Sequence, residues 1–296
     1  MRVLDVPSGL PAVVPTPQAG DPRLARLSLN QATTKRWSVA EAVDGCTRAG
    51  ISSIGLWREP VAECGLETTA ALVAERGLRV SSLCRGGFLT AVDPAGRAAA
   101  MDDNRRAIDE AATLGAACVV MVVGGLPAGS RDLRGARERV LEALADLAPY
   151  AGERGVRLAL EPLHPMYCAD RAVLSTLGQA LDVAEAFPVA QVGVVVDTFH
   201  VWWDPDVWHQ IHRAGSRIAA FQVCDWITPL PQDVLLARGM MGDGHIDFPA
   251  FRSAVDATGY VADVEVEIFN ADVWAADPDQ VLATMIRRYV QCVLGG

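Results

Sequence analysis

Four short stretches in the second half of the chain restrict its fold more than any other feature. They are VRLALEP, containing Glu161; VGVVVDTFH, with Asp197 and His200; IAAFQVCDW, with Gln222 and Asp225; and DVEVEIF, with Glu267. Each is a β-branched or apolar run that closes on an oxygen-bearing side chain. Successive steps from Glu161 to Asp197, Gln222 and Glu267 are 36, 25 and 45 residues, about one strand-plus-helix unit each, since such a unit needs roughly 30 residues. A parallel barrel turns this spacing into convergence, because all its strands point their C-terminal ends at one rim. Three carboxylates and an amide at one rim imply a divalent cation: without one, like charges would force a carboxylate to protonate. The all-oxygen set suits Mg²⁺ or Mn²⁺ better than Zn²⁺, which prefers nitrogen and sulfur.

The remaining chain supplies the other units. Strands are predicted over 24–30, 51–57, 78–84, 116–123, 156–161, 191–197, 217–223 and 263–269. Between them lie helical stretches with recognisable ends. Ser38 and Glu41 form a capping box for a helix that stops near Gly50, Thr176 and Gln179 suggest another, and Asp277-Pro278 opens the last helix. Eight strands alternating with helices, without a linker, predict a single (β/α)8 TIM barrel over 24–296 after a Pro-rich arm over 1–23. Alternation along each strand sets Ala159, Gly193 and Ala220 beneath the ligands and turns Glu265 inward with Glu267, where Arg157 is its expected partner.

Composition narrows the function. A net charge of −10 excludes a nucleic-acid groove, which needs clustered Lys and Arg. No apolar run reaches the ~18 residues that span a bilayer, and the N-terminus lacks a signal-peptide pattern, so the expectation is a cytoplasmic protein with no membrane partner. Seven scattered cysteines without a CxxC read as reduced structural thiols. Lys35 is the only lysine, so Schiff-base chemistry has a single candidate.

The segments LEPLHP (160–165), VVVDTFH (194–200), QVCDW (222–226), GDGHIDF (242–248) and GY…VEVEIF (259–269) resemble the xylose-isomerase-like superfamily of sugar isomerases and epimerases. That group includes tagatose/psicose 3-epimerases and inosose isomerases and dehydratases. The resemblance covers nearly the whole chain after the arm. It implies that Glu161, Asp197, Gln222 and Glu267 bind one divalent ion, with Glu161 and Glu267 as acid/base groups on opposite sides of a carbohydrate-like substrate. It also implies that His200 and Arg238 contact substrate, and it admits a homo-oligomer. His164, Trp57, Asp225 and Trp226 follow strand ends and complete the expected substrate-binding set. Two departures stand out. Gln222 occupies a position that is usually histidine, and His164-Pro165 replaces the polar residues common after the first glutamate in ketose epimerases.

The expected chemistry is proton abstraction beside a carbonyl, giving an enediolate that a metal stabilises, with a carboxylate on each face to take and return the proton. Isomerisation or epimerisation of a keto-sugar or polyol is the leading reading. A dehydratase or other lyase using the same intermediate is the runner-up. A barrel without catalysis stays open because of Gln222, and a zinc endonuclease of the related class is disfavoured by five histidines and the acidic charge. The GDGHID turn could cradle an oxyanion, with a glycine turn before a helix as the plainer account.

Overall fold

The computed structural model describes residues 15 and 17–295. Residues 1–14 and 16, most of the expected arm, lie outside the described residues. The described remainder of the arm runs into a short 3-10 turn, Pro22–Leu24, capped by Asp21.

The strands are β1 (Leu27–Asn30), β2 (Ser53–Trp57), β3 (Arg79–Gly87), β4 (Val119–Val122), β5 (Leu158–Leu160), β6 (Val192–Asp197), β7 (Ile218–Val223), β8 (Asp225–Trp226), β9 (Arg238–Gly239) and β10 (Val264–Val266). Eight of them close into a barrel in the order β1-β10-β7-β6-β5-β4-β3-β2. The pairs β1–β10, β1–β2, β10–β7, β3–β4, β4–β5 and β5–β6 all run parallel. This is the predicted barrel. Strands β1, β4, β5 and β6 are buried at every position. Parallel strands covered on both faces read as continuous apolar runs for this reason, without alternation.

Two compact units divide the chain. One comprises the described residues up to Ser81, Phe221–Ala257 and the residues from Val261 onward; the other comprises Ser82–Ala220 and Thr258–Tyr260. In the first, β1 pairs with both β2 and β10, and β10 pairs with β7 so that Glu265 lies level with Ser28 on one side and Gln222 on the other. In the second, β4 pairs with β3 and β5, and β5 pairs with β6.

Local signals place the helices well. Ser38 and Glu41 make the reciprocal capping box of the helix Val39–Ala49, and Gly50 ends it at φ 73°. Asp277 caps Pro278–Arg288 through the Gln280 amide. Thr176 caps Leu177–Ala184, but the Gln179 side chain reaches Ser175 N and not the cap residue.

Strand β3 departs most from expectation, running on through Gly86 and Gly87. A bulge interrupts its register with β4 between Cys84 and Gly86. A Cβ on Gly87 would lie 1.8 Å from Val122 O, so only glycine allows this approach. From the helix that follows, Pro94–Leu114, Asn104 accepts from Gly87 N on Oδ1 at 2.7 Å and donates from Nδ2 to Gly87 O at 2.8 Å. A short helix at Arg58–Cys64 and the antiparallel ribbon of β8 and β9 are further elements the sequence reading lacks. No helix among the described residues is long and apolar enough to cross a membrane.

Candidate active site

The sequence-predicted residues fall into two clusters, one in each unit. In the unit holding β4–β6, Glu161 follows β5, Asp197 ends β6, and His200 lies in the turn after it. Their exposures are 5%, 0% and 3%. One ligand atom from each falls within 4.8 Å of the others. A group of two carboxylates and an imidazole buried this closely could hold a metal ion. The structure brings His200 to the acidic group; the sequence reading gave it a substrate contact and allowed that, turned inward, it would alter the all-oxygen ligand set.

The surroundings fix each member. Asp197 Oδ1 accepts from Phe199 N at 2.9 Å and so caps its own turn. His200 Nδ1 accepts from the His164 backbone amide at 3.1 Å. An accepting nitrogen carries no proton, so a neutral His200 holds its proton on Nε2, and that atom lies 3.8 Å from Asp197 Oδ2. Tyr167 and Phe199 meet the His200 ring edge-on, and Trp203 Nε1 donates to its carbonyl at 2.8 Å. His164 stands against Trp203 and accepts from Met166 N on its own Nδ1. Burial lowers the His164 pKa below its usual 6.5, which keeps the ring neutral at neutral pH.

In the other unit, Gln222 is fully buried and Glu265 and Glu267 are 2% and 4% exposed. Glu265 turns inward as alternation predicts, but Arg157 is not what neutralises it. Arg157 donates to the carbonyls of Ser216 and Ile218. Glu265 instead accepts from Asn30 Nδ2 at 2.7 Å, Gln222 Nε2 at 2.9 Å and Ser81 Oγ. Gln222 Oε1 is buried with no hydrogen-bond partner among the described residues. A lone buried carbonyl oxygen is a costly arrangement.

Glu267 lies just beyond β10, with Asn30 Nδ2 3.0 Å from Oε1 and Arg238 Nη1 3.3 Å from Oε2. Arg238, 3% exposed, also lies within hydrogen-bond distance of the Glu267 carbonyl and over the Phe269 ring. Trp57 gives its indole N–H to Asn30 Oδ1 at 2.8 Å and packs edge-on against Phe269, which Trp274 meets at 5.7 Å. Lys35 stacks on Trp274, 4.0 Å from the ring centre.

Asp225, expected to bind substrate, is committed elsewhere. Its carboxylate accepts from the backbone amides of Trp226, Gly242, Gly244, His245 and Ile246 at 2.8 to 3.1 Å. The GDGHID turn thus does cradle an anion, and the anion is the protein's own. Every oxygen contact is internal, so Asp225 shapes the loop. Trp226 beside it is 8% exposed, more a wall of the fold than an open face. Sequence reasoning missed Asn30 altogether. Its one signal was a polar residue ending β1, and the two glutamates it holds lie more than 200 residues away.

The family model for xylose isomerase-like TIM barrels matches residues 43–289. The chain belongs to this family. Family membership agrees with the resemblance carried by the strand-end motifs. A ketose 3-epimerase of Arthrobacter globiformis is 26% identical over 227 residues, 73% of each chain. A 3-dehydroshikimate dehydratase of Pseudomonas putida is 29% identical over 163 residues, which are 53% of this chain and 24% of that protein. The crystal structure of a Sinorhizobium meliloti 1021 protein is 51% identical, with a TM-score of 0.88 over 91% of this chain and 98% of that one. An epimerase and a dehydratase are thus both among the relatives of this family member.

Proposed function

We propose that this protein is a divalent-metal-dependent isomerase or epimerase of a keto-sugar or sugar-like polyol. The observation that carries the reading is the buried group Glu161, Asp197 and His200, whose ligand atoms fall within 4.8 Å. The partnerless Gln222 Oε1 supports it from the other cluster. Glu161, Asp197, Gln222 and Glu267 would hold the ion, and their oxygen donors favour Mn²⁺ or Mg²⁺. When bound, the ion supplies Lewis-acid stabilisation of negative charge developing on substrate oxygens.

The chain's own residues supply the proton transfers. One carboxylate of the pair Glu161 and Glu267 takes the proton from the carbon next to a carbonyl. The other returns a proton to the opposite face, which inverts that carbon; return to the neighbouring carbon isomerises the sugar. Arg238 and Asn30 hold Glu267 from two sides and so restrict the direction in which its carboxylate can reach. The Nε2–H of His200 and the guanidinium of Arg238 are donors for substrate oxygens, and Trp57, Phe269 and Trp274 offer an apolar wall for a ring face.

A lyase is the second reading, favoured by the dehydratase relative. It differs after proton removal, when a β-substituent leaves with the electron pair. Incubation with a panel of keto-sugars in D₂O and Mn²⁺, followed by NMR, separates the two. Deuterium entering the carbon beside the carbonyl, with an isomer formed, supports the first; loss of water or an aglycone supports the second. Glu267→Gln should lower the exchange rate by about 10²–10⁴-fold. Unchanged exchange in that variant, or no exchange with any substrate in metal-loaded protein, overturns the proposal.

A further inference from the structure

We infer that Glu265, locked by Asn30 and Ser81, makes Gln222 an oxygen ligand and thereby tilts the site toward manganese and magnesium and away from zinc. The inference rests on the metal reading above and concerns positioning, since Glu265 acts through Gln222.

The argument begins with register. Gln222 and Glu265 are level on adjacent strands β7 and β10, both buried. The Gln222 amide presents Nε2 to Glu265 Oε1 at 2.9 Å, which turns its own Oε1 away, and that oxygen has no hydrogen-bond partner among the described residues. An amide with no such neighbour could flip and offer its nitrogen, which ligates poorly.

The carboxylate that does the orienting is itself held. Asn30 Nδ2 donates to Glu265 Oε1 and Ser81 Oγ to Oε2, while Ser28 Oγ backs Ser81 at 2.7 Å. A Cβ on Gly55 would lie 2.6 Å from the same carboxylate, so glycine leaves it room. Asn30 is aimed in turn by Ala32 N and Trp57 Nε1, both donating to its Oδ1. Glu265 thus plays toward an amide the part that carboxylates play behind ligating imidazoles: it fixes orientation and strengthens the ligand's donor atom. An oxygen so strengthened suits hard ions, where an imidazole at the same place suits zinc.

The test titrates metal-free full-length protein with Mn²⁺, reading free ion by electron paramagnetic resonance, and repeats the titration with Zn²⁺ in competition. Gln222→Leu and Glu265→Gln should each weaken Mn²⁺ binding about 10–100-fold. Gln222→His keeps an N–H for Glu265 and should raise the zinc-to-manganese affinity ratio about tenfold or more. Circular dichroism of the metal-free variants checks their fold. In the wild-type protein, Mg²⁺ should shift the Gln222 side-chain amide resonances, a readout that needs no variant. Wild-type binding of Mn²⁺ with no amide shift and no change of ratio in Gln222→His overturns this inference and leaves the metal reading standing. Failure of the wild-type chain to bind Mn²⁺, Mg²⁺ or Zn²⁺ overturns both.

Discussion

Asn30 reaches across the sheet to Glu267, its Nδ2 lying 3.0 Å from Oε1, while the same amide holds Glu265 at 2.7 Å. One neutral side chain therefore keeps two buried carboxylates apart in direction. Asn30→Ala removes both donors and strands the Trp57 indole N–H. Each buried group left without a partner costs about 1–3 kcal/mol, so the variant should lose about 2–4 kcal/mol in urea unfolding. Asn30→Asp keeps the shape and adds a third negative charge. It should be the less stable of the two at neutral pH and recover on acidification, when a carboxyl can take a proton. Wild-type stability in both variants would show that the glutamates do not depend on Asn30.

Asp225 and the 242–246 loop give a second prediction. Five backbone amides converge on one carboxylate, and a Cβ on Gly244 would stand 2.0 Å from Trp226 O. Asp225→Asn keeps one strong acceptor oxygen and turns the other position into a donor facing amide N–H groups. The expected loss is about 3 kcal/mol or more, since bonds to charged groups carry about 1.5–3 kcal/mol each. Hydrogen exchange should speed up at residues 242–246 in this variant and in Gly244→Ala. Protection as in the wild type would show that the loop holds itself.

These two groups also mark what the sequence made legible. Strands were visible because parallel strands buried on both faces leave long apolar runs, and helix ends were visible because Ser38, Asp277 and Gly50 act on their own neighbours. The strand-end acids were visible because each closes such a run. Partnerships between distant segments were not. Glu265 was assigned Arg157 by alternation and charge, yet two amides from the neighbouring strands and the Ser81 hydroxyl from β3 satisfy it. The length of β3 depended on Asn104, and the fate of Asp225 on a glycine turn many residues later. A one-dimensional pattern carries a residue's chemistry, but its partner is chosen by register and by loops that fold back.

Metal binding should be visible without substrate. An ion that binds only the native state stabilises it by about 4 kcal/mol at a thousandfold excess over Kd. Addition of Mn²⁺ should raise the melting temperature, and a chelator should reverse the rise. Asp197→Asn should abolish the response. The same variant should melt higher than the wild type when both are metal-free, because a buried like charge beside Glu161 is gone while Oδ1 can still accept from Phe199 N. A metal-free Asp197→Asn that melts lower than the metal-free wild type would argue that the acids are not in electrostatic tension.

The pH dependence of stability turns on Asp243. Burial pushes its pKa from the usual 3.8 up to about 6, and Asp225 nearby adds to the rise, against the opposing pull of Arg288. Arg288 Nη2 lies 2.9 Å from Oδ1, with the Asp243 side chain only 16% exposed. The folded chain thus holds this proton more tightly than the unfolded chain. Stability falls where the native state binds more protons, so it should drop as pH rises through the interval from about 4 to about 6. Two pKa units correspond to about 3 kcal/mol. Asp243→Asn has no proton to release there. Urea unfolding of both proteins between about pH 4 and about pH 7 isolates the effect: wild-type stability relative to the variant should decline across the interval and level off above it. A relative stability that instead climbs with pH would mean that the ion pair with Arg288 outweighs burial.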